Sequence, residues 1–240
     1  MNGKKILLID DDTSLLQLAG VLFKKEGAEI ATACDGFDGI AKLFTFRPDL
    51  VILDVMMPGM DGFEICRRIR QVSDTPLIIL TALSREEEML LGLEAGADDF
   101  LSKPFNAEVL LARARTVLRR TQGHNNNNVN NDTSLKYDDG YLCVDIERHE
   151  VLVKGKRIKL SPLEFRLLVF LARNGGKLLP FERIISNVWG DEYKGNVSYI
   201  HVYISRLRKK IELDAKDPKY ILSVHGIGYI FEKPELQFKT

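Results

Sequence analysis

Residues 50–62 have the sequence Leu-Val-Ile-Leu-Asp-Val-Met-Met-Pro-Gly-Met-Asp-Gly, in which an apolar run leads into a Pro-Gly turn. The run at 50–55 is typical of a strand buried on both faces of a parallel sheet. Its acid, Asp54, lies near the carboxyl end of the run, where ligands bind in such sheets. Because burying a carboxylate costs free energy unless it is paired, Asp54 is a candidate functional residue. This stretch therefore predicts an α/β fold with a site at one sheet edge.

The surrounding 120 residues alternate short apolar runs with amphipathic segments. They predict strands at 5–9, 29–33, 50–55, 77–81 and 99–103, and helices at 14–26, 37–46, 63–70, 85–95 and 106–120. Strands that alternate with helices form a parallel sheet covered on both faces. Right-handed crossovers then make a five-stranded, doubly wound, flavodoxin-like domain over residues 1–120.

The second half of the chain has a different pattern. Residues 121–134 include two runs of asparagine and predict a flexible linker, because such a polar tract cannot bury a core. Residues 135–240 form a second predicted domain, with strands at 142–145, 150–153 and 157–160, helices at 162–174, 181–189 and 197–211, and a hairpin at 220–231. Three helices followed by a hairpin predict an α+β winged helix-turn-helix domain.

The composition is that of a globular protein with a hydrophobic core. Apolar residues make up 45% of the chain and the formal net charge is zero. No apolar run approaches the ~20 residues of a membrane span, and no signal-peptide pattern precedes the first strand. The three cysteines are widely spaced, which favours free thiols over a disulfide framework. We therefore expect a cytoplasmic protein with no membrane partner.

Polar residues follow four of the predicted strands and define a candidate site. Asp10 and Asp11 follow the first strand, Asp54 the third, Thr81 the fourth and Lys103 the fifth. Three converging carboxylates favour a Mg²⁺ ion, held by Asp11, Asp54 and the backbone carbonyl of Met56, with Asp10 acting through water. Asp54 is then the predicted phosphoryl acceptor. Lys103 and Thr81 supply a cation and a hydroxyl to the phosphate, so these three residues are the candidate catalytic groups.

The first domain resembles the receiver domain of two-component response regulators. The matching motifs are Asp10-Asp11, residues 50–62, Thr81-Ala82 and residues 96–105, Gly-Ala-Asp-Asp-Phe-Leu-Ser-Lys-Pro-Phe. The resemblance implies phosphoryl transfer to Asp54 from a sensor histidine kinase, and a cis peptide bond before Pro104. It also implies a switch in which Thr81 moves toward the phosphate and Phe100 turns inward. Most relatives have tyrosine at the position of Phe100.

The second domain resembles the effector domain of the OmpR/PhoB class. The matches lie at 160–168, 188–190, 202–211 and 224–229. The resemblance implies that the helix at 197–211 binds promoter DNA, with Val202 and Arg206 as base contacts, and that residues 191–196 lie where relatives contact RNA polymerase. The helix wheel, the resemblance and the wing together define the candidate DNA-binding residues: Ser198, Tyr199, His201, Val202, Ser205, Arg206, Arg208, Lys209 and His225.

Some of these residues depart from the class. His201 stands where relatives usually have Asp, Ser198 where many have Arg, and His225 where the wing often has Arg. Losing two arginines should weaken contacts to phosphates or the minor groove, so the DNA site cannot be copied from a relative.

Members of this class dimerise on phosphorylation through charge pairs on one face of the receiver domain. The resemblance places seven residues on that face, namely Met89, Glu94, Asp98, Asp99, Val109, Arg113 and Arg115. The three acids are expected to meet the two arginines of a second copy. Met89 and Val109 replace a usual ion pair, so this contact is either weakened or replaced by apolar packing.

Two other interpretations remain open at this point. An aspartyl-phosphate enzyme of the haloacid-dehalogenase type needs a second acid two residues after the nucleophile, and Met56 occupies that position. A constitutive DNA-binding protein would use the first domain only as an interaction module. A transcription regulator that is not an enzyme, apart from phosphoryl transfer to its own Asp54, is the favoured function.

Overall fold

The computed structural model describes residues 1–59, 61–82, 86–121, 136–193 and 195–232. The chain divides into two compact units, residues 1–123 and residues 124–240. The predicted linker at 121–134 lies outside the described residues except for Thr121, so its flexibility stays a prediction. Within the described ranges, no helix combines the length and the apolar character needed to cross a bilayer.

The first unit is a parallel sheet covered by helices. Its strands are β1 (Lys5–Ile9), β2 (Glu29–Ala33), β3 (Leu50–Asp54), β4 (Leu77–Thr81) and β5 (Asp99–Ser102), and its helices are α1 (Thr13–Lys25), α2 (Gly36–Phe46), α3 (Gly62–Val72), α4 (Glu86–Ala95) and α5 (Ala107–Thr121). The strand order is β2-β1-β3-β4-β5, with every neighbouring pair parallel. The predicted doubly wound fold is confirmed, and the predicted ends of its elements differ from the observed ones by at most two residues.

Alternating side chains of β1 divide the core of this unit into two layers. Ile6 and Leu8 pack with Phe23 of α1 on one face of the sheet. Leu7 and Ile9 belong to the cluster on the other face, which includes Leu43 of α2. Because the central strands are buried on both sides, their polar residues are confined to the strand ends.

The second unit combines two antiparallel sheets with three helices. Its elements are β6 (Lys136–Asp138), β7 (Leu142–Asp145), β8 (Glu150–Val153), β9 (Lys156–Arg157), α6 (Pro162–Arg173), β10 (Leu178–Pro180), α7 (Phe181–Val188), α8 (Val197–Ile211), β11 (Ile221–Val224) and β12 (Gly228–Phe231), with a 3-10 turn at Asp191–Tyr193. The sheet orders are β6-β7-β8-β9 and β10-β12-β11. The β11–β12 hairpin that follows α8 is the predicted wing.

Three strands of this unit differ from the sequence prediction. The strand expected at 157–160 is wrong beyond Arg157, because β9 pairs with β8 over two residues only. Its turn, Lys154-Gly155, has φ values of 51° and 72°, the paired left-handed conformation of a two-residue hairpin loop. Strands β6 and β10 were not predicted, because three residues are too few to show an alternating pattern.

A carboxylate ties the first sheet of this unit to the wing. Asp139 accepts hydrogen bonds from the hydroxyls of Tyr137 and Tyr220, both at 2.8 Å. It also accepts from the backbone N–H groups of Tyr141 at 2.9 Å and Leu142 at 2.8 Å. Burial acts to raise the pKa of Asp139, but these hydrogen bonds outweigh it and the pKa is lowered.

Replacing Asp139 with Ala should destabilise the second unit by roughly 2–3 kcal/mol, because the buried phenols and backbone groups lose their acceptor. Trp189, the single tryptophan, is 1% exposed and lies in this unit, so its fluorescence during urea unfolding measures the change. Because the pKa of Asp139 is lower in the folded state, the stability that it adds is present above its unfolded pKa of about 3.9 and is lost as the pH falls further.

The matched control for this measurement is Asp138→Ala, which removes an exposed neighbour paired with Lys136. Equal midpoints for the two variants at pH 7 would contradict the role given to Asp139.

Candidate functional site

Three carboxylates meet at the carboxyl edge of the parallel sheet. Asp10 and Asp11 follow β1, and Asp54 ends the adjacent strand β3. One oxygen from each side chain lies within 4.8 Å of the others. Asp10 is 1% exposed and Asp54 is 3% exposed, whereas Asp11 is exposed to solvent. The cluster is thus buried on the side of Asp10 and Asp54 and open to solvent on the side of Asp11.

Lys103 joins the two buried carboxylates. Its Nζ lies 2.8 Å from Asp10 Oδ2 and 3.0 Å from Asp54 Oδ2. Burial disfavours its charge, but the two carboxylates outweigh burial and raise the pKa of Lys103. Burial also raises the pKa of Asp10, although Lys103 and the backbone N–H of Asp12 act in the opposite direction. Lys103 is therefore held as a cation inside the pocket.

The neighbouring groups hold this arrangement in place. The backbone N–H of Met56 donates to Asp54 Oδ1 at 3.3 Å, and Thr81, at the end of β4, is buried. Gly62 allows α3 to approach β3, since a Cβ there would lie 2.2 Å from the Cα of Val55. The Lys103–Pro104 peptide is cis, as the resemblance implied. Asp12 caps α1 by accepting from the N–H groups of Ser14 and Leu15, so its role is structural.

The donor set fits a small divalent cation. All its side-chain groups are carboxylate oxygens, the hard ligands that Mg²⁺ prefers, and an octahedral ion with bonds of about 2.1 Å holds ligand atoms no more than about 4.2 Å apart. The present spacing of up to 4.8 Å needs only a small contraction. Three carboxylates and one lysine leave excess negative charge, which a divalent cation would balance.

Phe100 and the acids beside it lie in or directly before β5, and the acids are at the end of that strand away from the pocket. Phe100, on β5, is partly buried against the core layer that contains Leu53 and Ile79. Asp98, directly before β5, is 3% exposed and lies 2.6 Å from Arg70 of the same chain. The expectation that Asp98 lies on an exposed face and meets an arginine of a second copy is therefore wrong, because it is buried beneath Arg70.

The other proposed face residues have mixed positions. Asp99 is 0% exposed and pairs with Arg113 of the same chain at 3.2 Å, and Arg115 pairs at 2.6 Å with Glu26, directly after α1. The contact of Arg115 with an acid of a second copy stays a prediction. Glu94 is exposed and Val109 is 42% exposed, as a contact surface requires. The side chain of Met89 lies outside the described residues.

Helix α8 separates into a buried and an exposed face. Four apolar residues recur along it at three- and four-residue spacing and are all at most 1% exposed, namely Ile200, Ile204, Leu207 and Ile211. His201, Ser205 and Lys209 are exposed, and Ser198 is partly exposed. Tyr199 is 2% exposed and Val202 is 8% exposed, so the expectation that these two face DNA is wrong. Tyr199 packs edge to face against Trp189 and Tyr193 instead.

Arg206 is turned toward the interior of the domain. It lies 2.8 Å from Glu164 Oε1 and over the ring of Tyr203. Glu164 is 0% exposed, is 2.6 Å from Lys210, and completes the capping box of α6 by accepting from the N–H of Ser161. Arg206 thus has an internal partner, and its contact to a base stays a prediction. Glu164 was missed from the sequence because its partners are about 40 residues away.

The wing contacts the exposed face of α8. The Nε of Arg208 donates to the carbonyl of Ile221 at 3.0 Å, and its Nη2 donates to the hydroxyl of Ser223 at 2.9 Å. His201 Nδ1 lies 2.7 Å from the hydroxyl of Tyr229 on β12. His225 lies at the exposed wing turn. Sequence reasoning misses Tyr229 and Ser223 as site residues, although Tyr229 lies within the stretch at 224–229 that resembles the effector domain.

Comparison with known proteins supports the resemblance of the first domain to receiver domains and of the second to OmpR/PhoB effector domains. Residues 6–115 match the family described as response regulator receiver domain, and residues 155–231 match transcriptional regulatory protein, C terminal. The chain therefore belongs to the two-component response regulators of the OmpR/PhoB class, which regulate transcription through a DNA-binding domain.

Several particular proteins resemble it over nearly their full length. It is 39% identical to the sensory transduction protein RegX3 of Mycolicibacterium smegmatis, covering 95% of this chain and 98% of that protein. It is 36% identical to the alkaline phosphatase synthesis transcriptional regulatory protein PhoP of Bacillus subtilis, covering 98% and 99%. A solved structure of a RitR mutant has a TM-score of 0.75 at 24% identity, covering 97% of this chain and 100% of the other, and supports the fold.

The first prediction from this site concerns the acidic cluster. Millimolar MgCl₂ should raise the unfolding temperature of the full chain by a few degrees, because an ion at ten times its dissociation constant adds about 1.4 kcal/mol. Asp11→Ala should lose this response, and Asp74→Ala, which removes an exposed acid elsewhere in the receiver domain, should keep it. Calorimetry with NaCl at matched ionic strength measures the effect. A response that Asp11→Ala retains would place the ion elsewhere.

The second prediction concerns Arg206. Its replacement by Ala should lower the free energy of unfolding of the DNA-binding domain by about 2–4 kcal/mol, because it removes one of two cations from a buried carboxylate. Lys209→Ala, on the exposed face of the same helix, is the control and should change it little. Urea unfolding followed by Trp189 fluorescence compares them. If both variants unfold at the same urea concentration, Arg206 does not stabilise the domain.

Proposed function

We propose that the protein accepts a phosphoryl group on Asp54 from the phosphohistidine of a sensor kinase and, once modified, controls promoters. The observation that carries this proposal is the pair of buried acids, Asp10 and Asp54, bridged by Lys103 at an edge that Asp11 leaves open. A buried, partnered carboxylate at the carboxyl end of a parallel strand has the position expected of a phosphoryl acceptor.

Each residue of the pocket has a distinct role in the transfer. A carboxylate oxygen of Asp54 forms the bond to phosphorus while the bond between phosphorus and the kinase histidine nitrogen breaks. Asp11, Asp54 and the backbone carbonyl of Met56 would hold Mg²⁺, with Asp10 acting through water. The ion, when bound, offsets charge on the phosphoryl oxygens. Lys103 is already placed to move from Asp10 and Asp54 toward the new phosphate.

The added charge of about −1.5 to −2 can then change the neighbouring surface. The hydroxyl of Thr81 would turn toward the phosphate, and Phe100, already partly buried, would move further inward. Both residues border the face made by α4, β5 and α5. We propose that two copies dimerise through this face, using Glu94, Met89 and Val109.

On dimerisation, the ion pair between Asp99 and Arg113 within one chain could be replaced by a pair between two copies. In the monomer the two residues neutralise each other. An arginine from a second copy could replace the internal partner without leaving Asp99 unpaired. Apolar contact by Val109, which is 42% exposed, can supply part of the remaining free energy of association.

The exposed face of α8 is the proposed contact to promoter DNA. Ser198, His201, Ser205 and Lys209 lie on one side of this helix, where an α-helix enters the major groove. Arg208 sits between the helix and the wing, and His225 lies at the wing turn. Residues 191–196 would face RNA polymerase. A regulator of promoters acts where the chromosome is, so we place the protein in the cytoplasm.

Acetyl phosphate with Mg²⁺ should convert the wild-type chain toward a dimer, and the Asp54→Ala variant should remain a monomer. Light scattering measures the molar mass, and intact-mass spectrometry measures phosphorylation in the same samples. Asp61→Ala is the control, because Asp61 caps α3 beside the pocket and takes no part in the proposed transfer.

Phosphate retained by Asp54→Ala would rule out Asp54 as the acceptor. A phosphorylated wild type that stays monomeric would remove dimerisation from the mechanism and leave release of the DNA-binding domain or another partner as its route. Unchanged promoter output in Asp54→Ala would favour a constitutive regulator.

A further inference from the structure

His201 lies where the DNA-facing helix, the wing and α7 meet. Its Nδ1 is 2.7 Å from the hydroxyl of Tyr229, and its ring packs edge to face on Phe181 with centroids 5.3 Å apart. Phe181 in turn packs edge to face on Tyr229 and donates its backbone N–H to the wing residue Ile227. The imidazole is thus exposed to solvent while two aromatic rings hold its orientation.

The hydroxyl that holds His201 belongs to a chain of hydrogen bonds with a defined direction. Arg208 can only donate, and its Nη2 donates to the hydroxyl oxygen of Ser223. Ser223 pairs directly with Tyr229 across the wing hairpin, and its hydroxyl hydrogen-bonds the phenol. Burial raises the pKa of Tyr229, while the charge of Arg208 and this hydrogen bond lower it. The phenol therefore stays protonated at neutral pH.

The guanidinium determines which way the hydroxyl protons point. Arg208 also lies over the ring of Tyr229, 5.7 Å from its centroid. Hydroxyl dipoles next to a cation are most stable with their oxygens toward it and their protons away from it, and successive bonds in such a chain strengthen one another. Ser223 then donates to Tyr229, and Tyr229 donates to Nδ1 of His201. With that orientation Nδ1 is the acceptor, and the ring proton lies on Nε2.

We propose that His201 is a specificity-determining residue that presents an Nε2–H donor to the major groove and selects guanine. This inference rests on the proposed DNA contact of α8 and deepens it. In the major groove, guanine presents two adjacent acceptors, N7 and O6, whereas cytosine presents a donor. A donor held in one orientation disfavours cytosine and favours guanine, whose two adjacent acceptors exceed the single acceptor of adenine or thymine. The opposite tautomer would favour the amino group of cytosine or adenine. Tyr229 of the wing thus affects base preference indirectly, because it orients His201 of α8 and does not itself contact the base.

The test is selection of binding sites from a pool of randomised DNA duplexes, with the full chain and with acetyl phosphate and Mg²⁺ present. Wild type should select a guanine at one position in each half-site. His201→Gln, which offers both a donor and an acceptor, should shift that position toward adenine. Tyr229→Phe keeps the imidazole but removes the donor to Nδ1, and it should broaden the preference there. Trp189 fluorescence checks that each variant is folded.

A second measurement tests whether N7 of the selected guanine accepts the hydrogen bond from His201. Replacing the selected guanine with 7-deazaguanine removes the N7 acceptor and should weaken wild-type binding by about fivefold, the effect of one hydrogen bond. His201→Asn retains a polar group near Nδ1 but does not reach the base, so its weaker binding should not respond to this replacement. Asp138→Ala, which removes an exposed acid outside this face, should respond as wild type does.

Four outcomes would overturn the inference. If His201→Gln and His201→Asn select the wild-type sequence unchanged, His201 does not determine specificity. If the position that changes carries cytosine in the wild-type site, the ring has the opposite tautomer, and if it carries adenine or thymine, His201 does not select guanine. If wild type selects no sequence at all, the proposed DNA contact of α8 fails, and this inference fails with it. The first three results leave the proposed function intact.

Discussion

The receiver domain depends on the burial of two like charges at the ends of adjacent strands. Asp10 and Asp54 are nearly inaccessible to solvent, and Lys103 holds both. Carboxylates so placed destabilise the fold unless a cation joins them, so the sheet edge is stable only with this lysine, or a comparable cation, in position. The strand order brings β1, β3 and β4 side by side, and Lys103 follows β5 at the same edge. The same electrostatic constraint would make the pocket responsive to the proposed phosphate, because the added charge would change the partners of Lys103.

In the DNA-binding domain, buried carboxylates join separate helices and strands instead of forming a pocket. Glu164 joins the start of α6 to α8, and Asp139 joins the first sheet to the wing. Glu212, at the end of α8, accepts from the backbone N–H groups of Lys219, Tyr220 and Ile221 and so determines where β11 begins. Both cations that pair with Glu164 and one donor to Asp139 come from distant parts of the chain, whereas the donors to Glu212 lie in the segment that follows α8. Because an unpaired buried charge costs several kcal/mol, these contacts select one arrangement of helix and wing. The orientation of α8 is thus set from inside the domain.

The surface offered to DNA is consequently smaller and less cationic than α8 alone suggests. Two of its basic residues, Arg206 and Lys210, neutralise Glu164, and Arg208 is bound to the wing. What remains on the exposed face is Lys209 with serines and His201. A surface with few free cations depends on hydrogen bonds to bases for much of its preference, since phosphate contacts supply affinity without sequence information. His201, held by Tyr229, is well suited to that role.

The sequence by itself determined the elements of the first domain and the polar residues that converge at its sheet edge, and in the second domain it indicated the helices and the wing hairpin but neither β6 nor β10. Continuous apolar strands and amphipathic helices have periods that can be recognised locally, and acids at the ends of parallel strands must converge once the sheet forms. Only the tertiary structure decided which charged residues are free. Asp98, Arg115 and Arg206 have the composition of surface residues, yet each has a partner 28 to 89 residues away. Burial of Tyr199 and Val202 also depended on the tertiary structure. The buried face of α8 is wider than the row of its most apolar residues, so it includes these two side chains. Pairing and burial depend on packing between distant segments, and residue type and local spacing carry no information about that packing.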